Sequence, residues 1–182
     1  MSDPSRDELL PKLVAFDLDG TLWYPEMYML WGGGGAPFTQ HRSGNLVDRK
    51  GQKVYLLGDT RDILSEIHAD PCWSSVKLAI SSKTDEPSWA EMCLQQIAIK
   101  KGVFLKSLFH YEQISQVSKD RHFRELQSQT GFSFKDMIFF DNQQDNCQTV
   151  SKLGVHCVYT PDGLTRSLWD DGISSWRDCY HQ

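Results

Sequence analysis

Four apolar residues, Leu13–Phe16, run directly into Asp17-Leu18-Asp19-Gly20-Thr21, and no other junction constrains this chain as tightly. A short continuous apolar run reads as a strand buried on both faces, the kind found in parallel sheets covered by helices. The end of that strand is the difficulty. One buried carboxylate is costly unless it is paired, hydrogen-bonded or bound to a cation, and two at one strand end repel each other as well. Either the strand ends in solvent with an incidental acidic pair, or something positive sits between Asp17 and Asp19.

Similar runs recur at residues 76–81, 107–111, Met137–Asp141 and 155–160. Helical segments are expected between them. Residues 60–70 place Ile63, Leu64 and Ile67 at helical spacing, with Thr60 as N-cap. Residues 85–99 start at Asp85 as N-cap, with Pro87 in the first turn. Residues 118–131 run from Ser118 as N-cap to Gly131 as stop, and residues 145–154 run to Gly154. The stretch 164–180 is expected to be one or two helices anchored by Leu168, Trp169 and Trp176. Strands alternating with helices predict an α/β fold, a Rossmann-like three-layer sandwich around a mostly parallel sheet. The whole chain is expected to form one domain.

Residues 24–57 interrupt the rhythm, because they are far too long for an ordinary βα loop. They contain Gly32 to Gly35 and then a segment resembling a hairpin, with Arg49–Gly51 at its turn and Val54, Tyr55 and Leu56 on its return strand. A compact β insert over the strand ends is expected, its glycines forming a mobile or close-fitting loop; the alternative is a disordered excursion.

The 182 residues suffice for a full core. The net charge of −5 offers no basic field for nucleic acid. No apolar run approaches the length of a membrane span, and the polar, acidic N-terminus is unlike a secretory signal. The cysteines number five, odd and scattered, with no Cys-x-x-Cys pair. They read as reduced thiols, which predicts a cytoplasmic or nuclear protein. A monomer is expected.

In open parallel α/β sheets ligands bind beyond the carboxyl ends of the strands. The residues due there are Asp17, Asp19, Gly20 and Thr21, then Ser81, Ser82 and Lys83, then Lys119, and finally Asp141 and Asn142 with Asp145 and Asn146 one turn on. Three carboxylates supply hard oxygen ligands suited to Mg²⁺. With Lys119, such a cation offsets the crowded negative charge and attracts a phosphate dianion. No Ser-His-Asp or Cys-His arrangement is visible, and no Walker loop.

The series "FDLDGTLW", "SSKT", "SKDRHF" and "FFDNQQDN", with the hairpin "DRKGQKVYL", resembles the haloacid dehalogenase-like superfamily, and within it the magnesium-dependent phosphatase branch. The likeness runs in order from Phe16 to about Tyr159. It implies Asp17 as nucleophile and Asp19 as proton donor and acceptor, with Mg²⁺ held by Asp17, the Asp19 carbonyl and Asp141. It implies substrate contacts from Leu18, Thr21, Ser82, Lys83 and Lys119. The substrate would be a phosphorylated small molecule or phosphoprotein: a phosphotyrosine, a phosphosugar or a glycated-amine phosphate. Many relatives carry Asp-Asp where this chain has Asp141-Asn142, so either Asn142 or Asp145 completes the metal surroundings. A non-catalytic phosphate- or metal-binding module is the alternative reading. A dehalogenase needs no proton donor at Asp19.

Overall fold

The computed structural model describes residues 9–180; the N-terminal stretch 1–8 lies outside the described residues. In chain order the elements begin with β1 (Leu13–Phe16), β2 (Trp23–Tyr24), β3 (Thr39–Gln40), β4 (Leu46–Val47), β5 (Lys53–Leu56) and α1 (Thr60–Ala69). β6 (Lys77–Ser82), α2 (Pro87–Gln96), β7 (Ala98–Lys100), β8 (Val103–Phe104) and β9 (Tyr111–Ile114) follow. The chain closes with α3 (Lys119–Thr130), β10 (Met137–Asp141), α4 (Gln144–Ser151), β11 (His156–Tyr159) and α5 (Arg166–Tyr180).

β1 lies at the centre of a five-stranded parallel sheet ordered β11-β10-β1-β6-β9. Because strand side chains alternate, β1 feeds both faces. Val14 and Phe16 join Leu78, Ile80, Ile138 and Phe140 under α1, α2 and α5. Leu13 and Ala15 join Ala79, Met137 and Phe139 under α3 and α4. The first face is aromatic: Phe16 stacks on Phe140 at 5.5 Å, and Phe140 stacks on Trp169 at 5.3 Å. This is the expected α/β sandwich.

The insert folds as a four-stranded antiparallel sheet ordered β2-β5-β4-β3. One buried carboxylate organises it. Asp48 Oδ1 accepts the N–H groups of Lys50 and Gln52 at the hairpin turn, while Oδ2 accepts the Gly35 N–H at 2.8 Å. Arg49 donates to the Ala36 carbonyl and Lys50 to that of Gly32. Gly34 and Gly35 are therefore close-fitting, whereas Gly32 and Gly33 are exposed. Gly35, at φ +80°, packs so closely that a Cβ there would stand 2.2 Å from the Trp89 ring of α2.

Several expectations are corrected. The strand expected at 107–111 lies at β9, sharing only Tyr111. Leu108 and Phe109 are buried in the bend before it, whereas β9 itself is a half-buried edge strand with a weak apolar pattern. The helix expected to reach Ile99 stops at Gln96, because Ile97 and Ile99 alternate inward and lead into the β7–β8 hairpin. Thr60 and Asp85 do not cap: the residues before α1 and α2 are Asp59 and Glu86, and neither makes a side-chain cap bond. Ser118 precedes α3 without a cap bond, while Gly131 ends it at φ +72°. The C-terminal segment is a single helix whose buried aromatics are Trp169 and Trp176; Leu164, not Leu168, is the buried leucine there.

Substituting Gly35→Ala is expected to cost about 1–3 kcal/mol, from the left-handed backbone and the Trp89 overlap. Urea unfolding measures this, and limited proteolysis should show new cleavage near residues 32–36. Wild-type values for both would contradict the described packing.

Candidate active site

The chain leaves β1 toward β6 and β9, then crosses back to β10 on the other side of β1. Such a reversal opens a crevice at the strand ends. Register decides what stands there. Phe16 pairs with Ile80 and Phe140, so Asp17 comes level with Ser81 and Asp141. The Asp17 N–H continues the ladder to the Phe140 carbonyl at 2.9 Å.

Lys119, the first residue of α3, reaches into this crevice and is 1% exposed. Its Nζ lies 2.8 Å from Asp17 Oδ1 and 3.2 Å from Asp141 Oδ2, and it also donates to the Ser81 carbonyl. Phe139 lies beneath it, 5.3 Å from ring centroid to Nζ. Burial first, then the charge of Asp17, pushes the Asp141 carboxyl above its ordinary range, while Lys119 pulls it back.

Asp19 is held differently. Its Oδ1 accepts Trp23 Nε1–H at 2.7 Å; its Oδ2 accepts the Met27 N–H at 3.0 Å and the Thr84 hydroxyl at 2.9 Å. Despite these donors, burial dominates and the nearby Asp17 adds to it, so the carboxyl is pushed up to about 6. The two acids of the opening motif therefore sit in unlike surroundings, one against an ammonium and one among neutral donors.

A third group closes the crevice. One tip atom of the Asn142 amide stands 3.2 Å from Asp17 Oδ2 and 3.1 Å from the Asp19 carbonyl oxygen. Turned one way, the amide nitrogen donates to both. Turned the other way, three oxygens converge. Neighbouring ligands of an octahedral cation with ~2.1 Å bonds lie about 3.0 Å apart. That spacing fits Mg²⁺. Gly20, at φ +79°, permits the approach, since a Cβ there would lie 2.3 Å from Asn142 Nδ2. Among the described residues no group of three or more His, Cys, Asp and Glu side chains is placed to hold a metal ion. The groups that meet there are instead one carboxylate, one main-chain carbonyl and one amide.

Asp141, expected beside Asp17 as a ligand, has its oxygens engaged elsewhere. Oδ1 accepts the Gln143 N–H, and Oδ2 accepts Asn146 Nδ2–H and faces Lys119. The oxygen-bearing group against Asp17 is the neighbouring Asn142. Asp145 sits in the first turn of α4.

A cavity of about 210 Å³ opens above Asp17 and Asp19, lined also by Ser82, Lys83 and Lys119 as expected. Leu18 and Thr21 do not line it. The Leu18 side chain belongs to the core, and its carbonyl receives the Thr21 and Leu22 N–H groups. Thr21 Oγ1 accepts the Asn142 N–H and lies 3.4 Å from Asp17 Oδ2, bracing the loop that follows β1. Sequence reasoning missed Thr84, which holds Asp19, and Glu26 and Tyr28, which the insert brings to the cavity wall. Thr84 stood within the quoted "SSKT"; Glu26 and Tyr28 carried no signal.

A family model described as acid phosphatase matches residues 9–179. The chain is 34% identical over 172 residues to magnesium-dependent phosphatase 1 of Homo sapiens, covering 92% of this chain and 88% of that protein. It is 32% identical over 152 residues to a HAD-like hydrolase superfamily protein of Schizosaccharomyces pombe, covering 80% and 83%. Its fold is similar to a HAD family enzyme of Bacteroides thetaiotaomicron solved with magnesium and inorganic phosphate, at TM-score 0.59, 15% identity and coverage of 86% and 98%. CbbY of Rhodobacter sphaeroides, solved with phosphate, gives TM-score 0.57 at 13% identity, covering 86% and 89%.

The raised Asp19 carboxyl predicts a pH signature in EDTA-treated protein. Folding strengthens its proton binding, so its contribution to stability is full below pH 3.8 and is lost as pH rises through about 6. Relative to Asp19→Asn, the wild type should lose on the order of 1–3 kcal/mol across that window. Denaturant titrations at successive pH values test this; parallel profiles would contradict it.

Proposed function

The chain belongs to the acid phosphatase family of the haloacid dehalogenase-like superfamily, and on that premise we propose that it hydrolyses phosphate monoesters through Asp17, with Mg²⁺ as cofactor. The observation that carries this reading is the pairing of Asp17 with Lys119 at 2.8 Å beside an Asp19 carboxyl raised to about 6. Two carboxyls with separate environments take separate roles.

Asp17 attacks phosphorus as the ester bond to the leaving oxygen breaks, forming an aspartyl-phosphate. Asp19 gives its proton to the leaving oxygen. The resulting carboxylate then takes a proton from the water that attacks the aspartyl-phosphate, which restores both acids. Lys119 and Ser82 grip phosphate oxygens, and Lys83 meets the substrate at the cavity edge. Mg²⁺ would be held by Asp17, the Asp19 carbonyl and the Asn142 amide oxygen, bordered by the Lys119–Asp141 pair. It supplies positive charge against the transferring phosphoryl oxygens.

The cavity wall beyond the phosphate grip carries Glu26, Tyr28 and Asp85. With no cover larger than the insert sheet among the described residues, phosphotyrosine, a phosphosugar or a glycated-amine phosphate can be presented there, free or on a protein. The protein works as a monomer in the cytoplasm or nucleus, in keeping with its five free thiols. None of the described helices is long and apolar enough to cross a membrane.

With p-nitrophenyl phosphate, turnover should require Mg²⁺ and stop in EDTA. Asp17→Asn should abolish it, and Asp19→Asn should lower it about 10²–10⁴-fold. Full turnover in EDTA or in Asp17→Asn removes the mechanism. Calorimetry supplies a separate check: Asn142→Asp adds a charge to the cradle and should tighten Mg²⁺ binding about tenfold. Unchanged or weaker binding would take Asn142 out of the cation's surroundings.

A further inference from the structure

His122 lies one turn after Lys119 on α3, and its imidazole is wholly buried. Nδ1 is 3.0 Å from Ser81 Oγ, and Nε2 is 3.0 Å from Ser115 Oγ. These serines stand at the ends of neighbouring parallel strands. Ser81 belongs to β6; Ser115 directly follows β9 and donates its N–H to the Ser82 carbonyl at 3.1 Å. Ser81 is also the residue whose carbonyl receives the Lys119 ammonium. Helix α3 thus grips one residue of β6 twice, through Lys119 on its main chain and through His122 on its side chain. Ser82, which lines the cavity, comes next.

We propose that His122 is a positioning residue for the phosphate grip, fixing Lys119 and Ser82 through its bond to Ser81. Chemistry explains the choice of imidazole. A neutral ring offers one N–H and one bare nitrogen, so one serine accepts from it while the other donates to it. Burial first, then the charge of Lys119, lowers its pKa to about 4. A neutral brace supports the ammonium without competing for Asp17 and Asp141. A leucine of similar bulk would fill the space but leave both hydroxyls without this partner, and a lysine would place a second cation beside the first.

The two ring nitrogens can be tested apart. In His122→Asn an amide atom stands near the place of Nδ1, so the Ser81 bond persists and the Ser115 bond is lost. His122→Gln reaches the place of Nε2 and reverses that choice. His122→Leu loses both. If positioning runs through Ser81, the Asn variant should keep kcat/KM within about threefold of wild type, while Gln and Leu fall tenfold or more. The inhibition constant of inorganic phosphate should rise with those losses. Melting temperatures should drop alike in Asn and Gln, since each loses one bond. Equal activity in Asn and Gln, wild-type activity in all three, or activity that follows melting temperature through the series would overturn the role. If Leu does not fold, the Asn–Gln pair decides; if neither of those folds, His122 serves the fold alone. The inference rests on the phosphomonoesterase reading. An inert wild type removes both, whereas an active wild type with equal Asn and Gln variants removes only the role of His122.

Discussion

One ammonium placed between two buried carboxylates holds this site together. Lys119 meets Asp17 and Asp141 with almost no solvent access. Taking three charges out of water is expensive, and only close geometry with further hydrogen bonds offsets it. The structure supplies both. Sheet register brings the two acids level, and the Ser81 carbonyl, Asn146, the Gln143 N–H and the Phe139 face occupy the remaining directions. Removing the lysine would leave two acids facing each other in a dry crevice. Asp17 is therefore oriented by its pairing with Lys119, which suits its proposed role in phosphoryl transfer, where positioning and charge neutralisation do most of the catalysis.

The second acid depends on the insert. Trp23 opens β2, Met27 begins the short 3₁₀ turn after it, and both donate to the Asp19 carboxyl. The insert that covers the strand ends thus also supplies two donors that oppose the rise burial gives the Asp19 carboxyl. The insert is held against α2 and the residue before it through Gly35 on Trp89 and Trp31 Nε1 on Glu86. Asn142 approaches the same loop from the other side. It brings an amide without a charge, so this side of the site carries less negative charge than an Asp-Asp pair would provide.

Much of this was legible in the sequence, for identifiable reasons. The buried strands at Leu13–Phe16, residues 76–81 and Met137–Asp141 are continuous apolar runs because both faces are covered by helices. The hairpin was visible through Arg49–Gly51 and the apolar return strand. The edge strand β9 was not, because half-buried polar residues carry no such pattern. The helix expected to run to Ile99 hid a small hairpin, since a short apolar stretch reads as helix or strand alike. Leu18 and Thr21 were expected at the substrate. Their side chains instead fill the core and brace the loop, and the direction of a side chain in a tight turn cannot be read from its spacing.

By itself the sequence determined the class of fold, the order of the strands' chemical ends and the presence of two acids that needed a positive partner. Those properties are local: apolar periodicity, turn residues and the cost of burying charge act over a few neighbouring positions. Tertiary structure alone decided that Lys119 lies between Asp17 and Asp141, that Asp141 serves the lysine while Asn142 faces Asp17, and that Trp23, Met27 and Thr84 hold the Asp19 carboxyl. Each of these pairings needs its groups within hydrogen-bonding distance, and that precision arises only when register, helix placement and the insert are packed together.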